Sequence, residues 1–223
     1  MGLGCLSEVG AAHVFAWVGR LRRVLVRVVV GRVALCANWW RMGGVDRADE
    51  TGRVDQLLDL DPGRVAVVLV DFQRDFCGPP GVEAARAGTD ANARTALRAN
   101  AFAAEAARLG VPVVYSQQVL DLDGLTWRQR RWEVGSRLCV AGADGAELFV
   151  PPVPGARVVR KHRFDIWQSR EFLDVLADWD IDGLVIGGVE LQCCVLYAVL
   201  GAEERGFHYV VPQDLVSGPA ATA

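Results

Sequence analysis

The segment Leu184-Val-Ile-Gly-Gly-Val-Glu-Leu-Gln-Cys-Cys-Val-Leu-Tyr197 contains the pattern that decides the fold. A short apolar run, typical of a buried strand, ends in a pair of glycines, and a helix is predicted to begin after a brief turn. Strands that pass directly into helices are typical of α/β folds. The turn also carries Cys193 and Cys194, and a cysteine at the start of a helix is favoured as a thiolate nucleophile.

Alternating strands and helices precede and follow this segment. The continuous run from Val65 to Val70 predicts a strand buried on both faces, and further strands are predicted at 112–116, 157–160 and 207–211. Asp90 and Ser169 are placed to cap the intervening helices. The pattern predicts a three-layer α/β/α sandwich with a mainly parallel sheet. Because the chain stops soon after the fifth strand, we expect the last strand and helix of the sandwich to be missing.

The composition favours a small ligand over a nucleic acid. The chain has 223 residues and a formal charge of −3, and no basic face is evident in the region of regular pattern. Its six cysteines form no CxxC pair and are accompanied by only three histidines, which argues against a disulfide framework and a structural zinc site. This cysteine usage fits the reducing cytoplasm, where we expect the protein to act.

Residues 1–55 differ in composition from the rest of the chain. Arginines interrupt every window of the roughly 20 apolar residues that a membrane-spanning helix needs. We expect residues 1–55 to form a poorly ordered basic and apolar extension, with a membrane-surface helix at 11–35 as the less favoured alternative. Residues 56–223 are predicted to form the folded domain.

Three reactive side chains lie at the predicted carboxyl ends of strands, where ligands bind in open parallel sheets. Asp71 ends the first strand, Lys161 follows the third, and Cys194 follows the fourth. Together they supply a nucleophile, a cation that lowers the pKa of the thiol, and a carboxylate that moves protons. Taken one at a time, each has a structural alternative, namely a loop cap, a solvated charge and a packed thiol. Their joint placement favours an active site.

Three segments in this order resemble the three signatures of the isochorismatase-like cysteine hydrolases. They are Val70-Asp-Phe-Gln-Arg-Asp-Phe76, Arg160-Lys-His-Arg-Phe164 and Gly188-Val-Glu-Leu-Gln-Cys-Cys-Val195. The resemblance covers roughly residues 64–217 and implies the same three-layer fold. It also implies assembly into a homo-oligomer.

The resemblance implies roles for individual residues. Asp71, Lys161 and Cys194 would form the catalytic triad. The peptide bond between Val189 and Glu190 would be cis, and the N–H groups of Glu190 and Cys194 would form the oxyanion hole. Cys193 is a competing nucleophile, but the spacing of the family signature favours Cys194.

Two departures from the family pattern bear on the reaction. The nicotinamidase branch has a metal-binding Asp-x-His after the second strand, whereas this chain has Ser116-Gln117-Gln118, so we predict no metal and no other cofactor. Leu191-Gln192 stands where many relatives have Thr-Asp or Thr-Asn. Because relatives that hydrolyse isochorismate lack the cysteine, Cys194 implies hydrolysis of a C–N bond in a small amide, carbamoyl or ureido compound through a thioester.

Polar and aromatic side chains near these motifs are candidates for substrate binding. Arginines grip carboxylates with their planar guanidinium groups, and aromatic rings line pockets, although solvated arginines and core aromatics are the structural alternatives. The candidates are Phe72, Gln73, Phe76, Arg131, Trp132 and Trp167.

Two other functions remain as alternatives. In the first, the same fold hydrolyses an isochorismate-like ether with Asp71 as the acid and without the cysteine. In the second, the chain is a catalytically silent binding or assembly subunit. Cys194→Ala separates the first alternative from the cysteine mechanism, because ether hydrolysis should survive that substitution.

Overall fold

The computed structural model describes residues 60–78, 81, 90–125, 127 and 138–218. The predicted extension, residues 1–55, therefore lies outside the described residues, as do Arg131 and Trp132. Within the described ranges, five strands form one sheet in the order β3-β2-β1-β4-β5, and all neighbouring strands are parallel. The strands are β1 (Val65–Val70), β2 (Val113–Gln118), β3 (Arg157–Lys161), β4 (Gly183–Gly188) and β5 (His208–Val210).

Helices connect the strands and cover both faces of the sheet. None of the described helices is long and apolar enough to cross a membrane. A π-helical turn, Leu191–Val195, leads from β4 into the last helix. The helices are α1 (Arg74–Cys77), α2 (Ala91–Arg108), α3 (Arg170–Asp178) and α4 (Leu196–Glu204).

The alternation of side chains along β1 produces the layers. Successive side chains of a strand point to opposite faces, so Val67 and Leu69 pack with Phe102 of α2, whereas Val68 packs with Phe172 of α3. Every residue of β1 is buried, as expected for a central strand covered on both sides. The predicted three-layer sandwich with a parallel sheet is confirmed.

The two predicted helix caps behave differently. Ser169 accepts a hydrogen bond from the N–H of Phe172, as an N-cap serine should. Asp90 precedes α2, but its carboxylate pairs with Arg94 one turn along the helix and accepts no N–H at the helix start. The prediction of a capping side chain is therefore confirmed at Ser169 and wrong at Asp90.

Helix α4 packs very closely against Trp167. The indole N–H of Trp167 donates to the carbonyl of Ala198 at 2.9 Å, and its ring meets Phe172 edge-on with a centroid distance of 5.1 Å. A Cβ atom added to Gly201 would overlap the indole ring. The missing side chain at Gly201 therefore sets how near α4 lies to the sheet, and with it the position of the preceding turn.

We predict that Gly201→Ala destabilises the protein by about 1–2 kcal/mol. The substitution gains about 1 kcal/mol in helix propensity, but overpacking against a buried ring costs about 1–3 kcal/mol. The measurement is urea unfolding followed by circular dichroism. Gly63→Ala serves as the control, because a Cβ at Gly63 makes only an ordinary contact of 3.4 Å with Asp61. Equal stability of Gly201→Ala and the wild type would contradict the close packing.

Candidate active site

The carboxyl ends of β1, β3 and β4 bring Asp71, Lys161 and Cys194 into direct contact. Lys161 Nζ lies 2.7 Å from Asp71 Oδ2 and 3.4 Å from Cys194 Sγ. Asp71 is fully buried, and Lys161 and Cys194 are 2% and 3% exposed. An acid, a cation and a thiol therefore meet in a site removed from bulk water.

The carboxylate of Asp71 is held from two sides. Ser116 Oγ donates to Asp71 Oδ1 at 2.6 Å and accepts the backbone N–H of Asp71 at 3.2 Å. Lys161 contacts the other carboxylate oxygen. Asp71 also has a left-handed backbone conformation, with φ of 55°, which is uncommon outside glycine. The chain thus turns sharply after β1 and fixes the carboxylate beside the lysine.

The ammonium group of Lys161 is buried and fully surrounded. Besides Asp71 and Cys194, it donates to the carbonyls of Arg163 at 2.8 Å and Phe164 at 3.2 Å. Burial lowers the pKa of Lys161, but Asp71 and Cys194 outweigh that effect and leave the pKa above its usual value. Lys161 is therefore charged at neutral pH, with its cost of burial offset by these contacts.

The thiol of Cys194 is neutral in this arrangement. Its hydrogen bond with Cys193, its burial and the nearby carboxylate of Asp71 all raise the pKa of Cys194, and Lys161 lowers it by less. The sequence predicted a lowered pKa, and this prediction is wrong. The reason is that the hydrogen bond with Cys193, burial and the Asp71 carboxylate together outweigh the charge of Lys161.

The adjacent thiols occupy different environments. Cys193 is half-buried, and the hydrogen bond from Cys194 lowers the pKa of Cys193. Cys194 is the thiol in hydrogen-bond contact with Lys161. The geometry therefore favours Cys194 over Cys193 as the nucleophile.

The turn between β4 and α4 is fixed through Glu190. The Val189–Glu190 peptide bond is cis. The carbonyl of Glu190 accepts the N–H groups of Cys193 at 2.9 Å and Val195 at 3.3 Å. Its carboxylate accepts a hydrogen bond from the side chain of Asn92 at 2.7 Å. The backbone on both sides of Cys194 is thereby held in place.

Gln73 is a structural clamp. It is fully buried, its Nε2 donates to the carbonyls of Gln118 and Ala146, and its Oε1 accepts the N–H of Gln118. Both ends of its amide are engaged by the main chain, and the role of Gln73 in substrate binding stays a prediction.

The three aromatic candidates within the described residues lie in the hydrophobic core. Phe72 is completely buried, and Phe76 and Trp167 are at most 5% exposed. Phe72 and Phe76 pack on the α2 side of the sheet, and Trp167 packs on the α3 side. They therefore pack as core residues, and the pocket-lining role stays a prediction, because Asp71 and Cys194 are buried to the same degree. The remaining candidates, Arg131 and Trp132, lie outside the described residues.

Sequence reasoning missed two residues that contact the triad. Ser116 binds Asp71, and Gln118 Oε1 lies 3.7 Å from Cys194 Sγ. A signal was present, because Ser116-Gln117-Gln118 places polar residues at the carboxyl end of a strand that begins as an apolar run.

In the described part of the chain, no group of three histidine, cysteine, aspartate or glutamate side chains is placed to hold a metal ion.

Comparison with known proteins identifies the family. The isochorismatase domain model matches residues 65–223. Ureidoacrylate amidohydrolase RutB of Azorhizobium caulinodans is 30% identical over 157 residues, which cover 62% of this chain and 69% of that protein.

Two solved structures illustrate the similarity of fold. N-carbamoylsarcosine amidase from Thermoplasma acidophilum has a TM-score of 0.59 and 25% identity, over 72% of this chain and 86% of that one. A cysteine hydrolase from Pseudomonas syringae has a TM-score of 0.64 and 18% identity, over 71% and 75%. The family model covers well over half of the sequence, so the chain belongs to the isochorismatase-like cysteine hydrolase family.

Proposed function

We propose that the protein is a cysteine-dependent amidohydrolase that cleaves a C–N bond in a small amide, carbamoyl or ureido compound. The observation that carries this proposal is the contact of one buried ammonium, Lys161 Nζ, with both Asp71 and Cys194 Sγ. Two similar proteins are named as an amidohydrolase and an amidase, which supports C–N hydrolysis. We assign the activity to the domain formed by residues 56–223.

In the first step, Cys194 attacks the substrate carbonyl. The thiol proton passes to Asp71 as the sulfur–carbon bond forms, so no free thiolate has to exist beforehand. Lys161 remains charged, and it stabilises the negative charge that develops on sulfur. The raised pKa of Cys194 fits this order of events, because proton transfer then accompanies substrate binding.

The tetrahedral intermediate needs hydrogen-bond donors for its oxyanion. We assign these donors to the backbone N–H groups of Glu190 and Cys194. The hydrogen bonds from Cys193 and Val195 to the carbonyl of Glu190 keep this turn rigid, so the donors are oriented before the reaction begins. Such a donor typically contributes about 3 kcal/mol to transition-state stabilisation.

The remaining steps return every proton. Asp71 gives its proton to the leaving nitrogen, the C–N bond breaks, and the amine departs to leave an acyl thioester on Cys194. Water then gives a proton to Asp71 and attacks the thioester, and Asp71 passes this proton to the sulfur of Cys194 as the carbon–sulfur bond breaks, which regenerates the thiol and the carboxylate. Since the protein's own groups balance the reaction, we propose that it requires no cofactor.

Two features support the proposed setting of the enzyme. We propose that it acts in the cytoplasm, because free thiols such as Cys77, Cys139 and Cys194 suit a reducing compartment. We also propose a homo-oligomer, because Tyr197 and Leu200 expose apolar side chains on α4.

We predict that Cys194→Ser lowers kcat/KM for amide hydrolysis by about 10³-fold or more, because the nucleophile is lost. The measurement is ammonia release from a panel of small amides, carbamoyl and ureido compounds. Cys193→Ser is the matched control, and its kcat/KM should stay within about threefold of the wild type.

Two results would contradict the cysteine mechanism. Hydrolysis that survives in Cys194→Ser would support a reaction led by Asp71, as in the ether-hydrolase alternative. A correctly folded wild type that releases no ammonia from any compound of the panel would support a silent binding or assembly subunit.

We predict that the rate at which iodoacetamide alkylates Cys194 still increases with pH at pH 9 and above, whereas the rate for an ordinary thiol, with a pKa of about 8.5, levels off there. The raised pKa of Cys194 is the reason. Asp71→Asn should accelerate alkylation at a given pH, because the carboxylate raises this pKa, and Lys161→Met should slow it. Mass spectrometry of the peptide that carries Cys194, in a Cys193→Ser background, measures the rates, and circular dichroism confirms that each variant is folded. A plateau near neutral pH would show a preformed thiolate.

A further inference from the structure

We infer that Gln118 determines specificity by binding the nitrogen that remains on the carbonyl carbon of a carbamoyl or ureido substrate. This inference rests on the proposed function and narrows it. Gln118 would then favour, among small amides, compounds in which two nitrogen atoms are bonded to the reacting carbonyl carbon.

Gln118 lies beside the nucleophile. Its Oε1 is 3.7 Å from Cys194 Sγ, within reach of the thiol proton. A carbonyl carbon positioned for attack lies about 3–3.5 Å from the sulfur. A substituent of that carbon that points toward β2 is therefore within reach of the amide of Gln118.

The main chain of Gln118 is rigidly held. Its N–H donates to Gln73 Oε1 and its carbonyl accepts from Gln73 Nε2, both at 2.8 Å. It also pairs with Lys161 across the strands β2 and β3. Rigid support of this kind is what a group that orients a substrate requires.

The side chain of Gln118, by contrast, has unused hydrogen-bonding capacity. It is half-buried, and its Oε1 contacts the weak donor Cys194. Among the residues that the structure describes, its Nε2 has no hydrogen-bond partner. A carboxamide in this state can both accept from and donate to a substrate.

The reaction leaves one substituent for Gln118. In the tetrahedral intermediate, the oxyanion points to the backbone N–H groups and the leaving nitrogen points to Asp71. The third substituent then faces the side of Gln118. A nitrogen at this position donates its N–H to Gln118 Oε1, whereas a carbon leaves Oε1 without a strong donor. A site built for such a hydrogen bond discriminates against substrates that cannot form it.

The neighbouring glutamine provides a matched control. Side chains alternate along a strand, so Gln117 points to the opposite face of the sheet from Gln118. Its Nε2 lies 3.3 Å from the carbonyl of Ala146, and it makes no contact with Cys194 among the described residues. Gln117 therefore shares the strand and the chemistry of Gln118 but not its position.

The test compares two substrates of the same shape, N-carbamoylglycine and succinamate, which differ by NH against CH₂ next to the carbonyl carbon. Ammonia release gives kcat/KM for the purified full chain. We expect the wild type to prefer N-carbamoylglycine by about tenfold or more. Gln118→Leu should lower kcat/KM for N-carbamoylglycine by about tenfold and leave succinamate within about twofold to threefold, so the preference disappears. Gln117→Leu should keep the preference.

Three results would overturn the inference. In the first, the wild type cleaves N-carbamoylglycine and succinamate equally well or cleaves neither. In the second, the preference for N-carbamoylglycine survives in both Gln118→Leu and Gln118→Ala, and in the third, Gln117→Leu loses the preference to the same extent. Failure of the proposed function is recognised separately, because ammonia release would then persist in Cys194→Ser or would be absent from the wild type with every compound of the panel. If Cys194→Ser abolishes release from a small amide but Gln118→Leu does not change the preference, only the inference fails.

Discussion

The buried ion pair between Lys161 and Asp71 is the interaction on which the site depends. Two charges removed from water are costly unless they are paired and further hydrogen-bonded. Here Ser116 completes the shell of the carboxylate, and two main-chain carbonyls complete that of the ammonium. These groups come from or directly follow β1, β2 and β3, so the pair forms only in the observed register of the sheet. A slip of one residue would turn Lys161 to the opposite face and leave Asp71 unpaired.

The same pair helps to explain why Cys194, the proposed nucleophile, is a thiol at rest. Cys194 meets a cation whose charge is already compensated by Asp71 at 2.7 Å, so the hydrogen bond with Cys193, burial and the carboxylate together raise its pKa. In the proposed reaction, Asp71 gains a proton only as the sulfur–carbon bond forms. The proposed electrostatic contribution of Lys161 is then greatest in the transition state, when negative charge develops on sulfur, and interactions that strengthen there accelerate a reaction.

The sequence was sufficient for the fold and for selecting three side chains that the structure brings into contact. Continuous apolar runs marked the parallel strands, and the rule that ligands bind at carboxyl ends of parallel strands selected Asp71, Lys161 and Cys194. The sequence did not show which groups the individual side chains contact. Gln73 has the residue type of a ligand-binding group, and only the tertiary structure shows both ends of its amide engaged by the main chain. The direction of the pKa shift at Cys194 likewise depends on its hydrogen bond with Cys193 and on its burial, which only the tertiary structure shows.

Strand β2 links the motif at Asp71 to substrate choice. Its period of two places Ser116 and Gln118 on the same face, so one residue orients the base and the other reaches the nucleophile. Gln73, two residues after Asp71, holds the main chain of Gln118 through hydrogen bonds that do not involve the Gln118 side chain. The hydrogen bonds that stabilise the end of β2 therefore do not depend on which side chain residue 118 carries. A change there alters what the site presents to a substrate while the buried ion pair and its supporting hydrogen bonds stay in place.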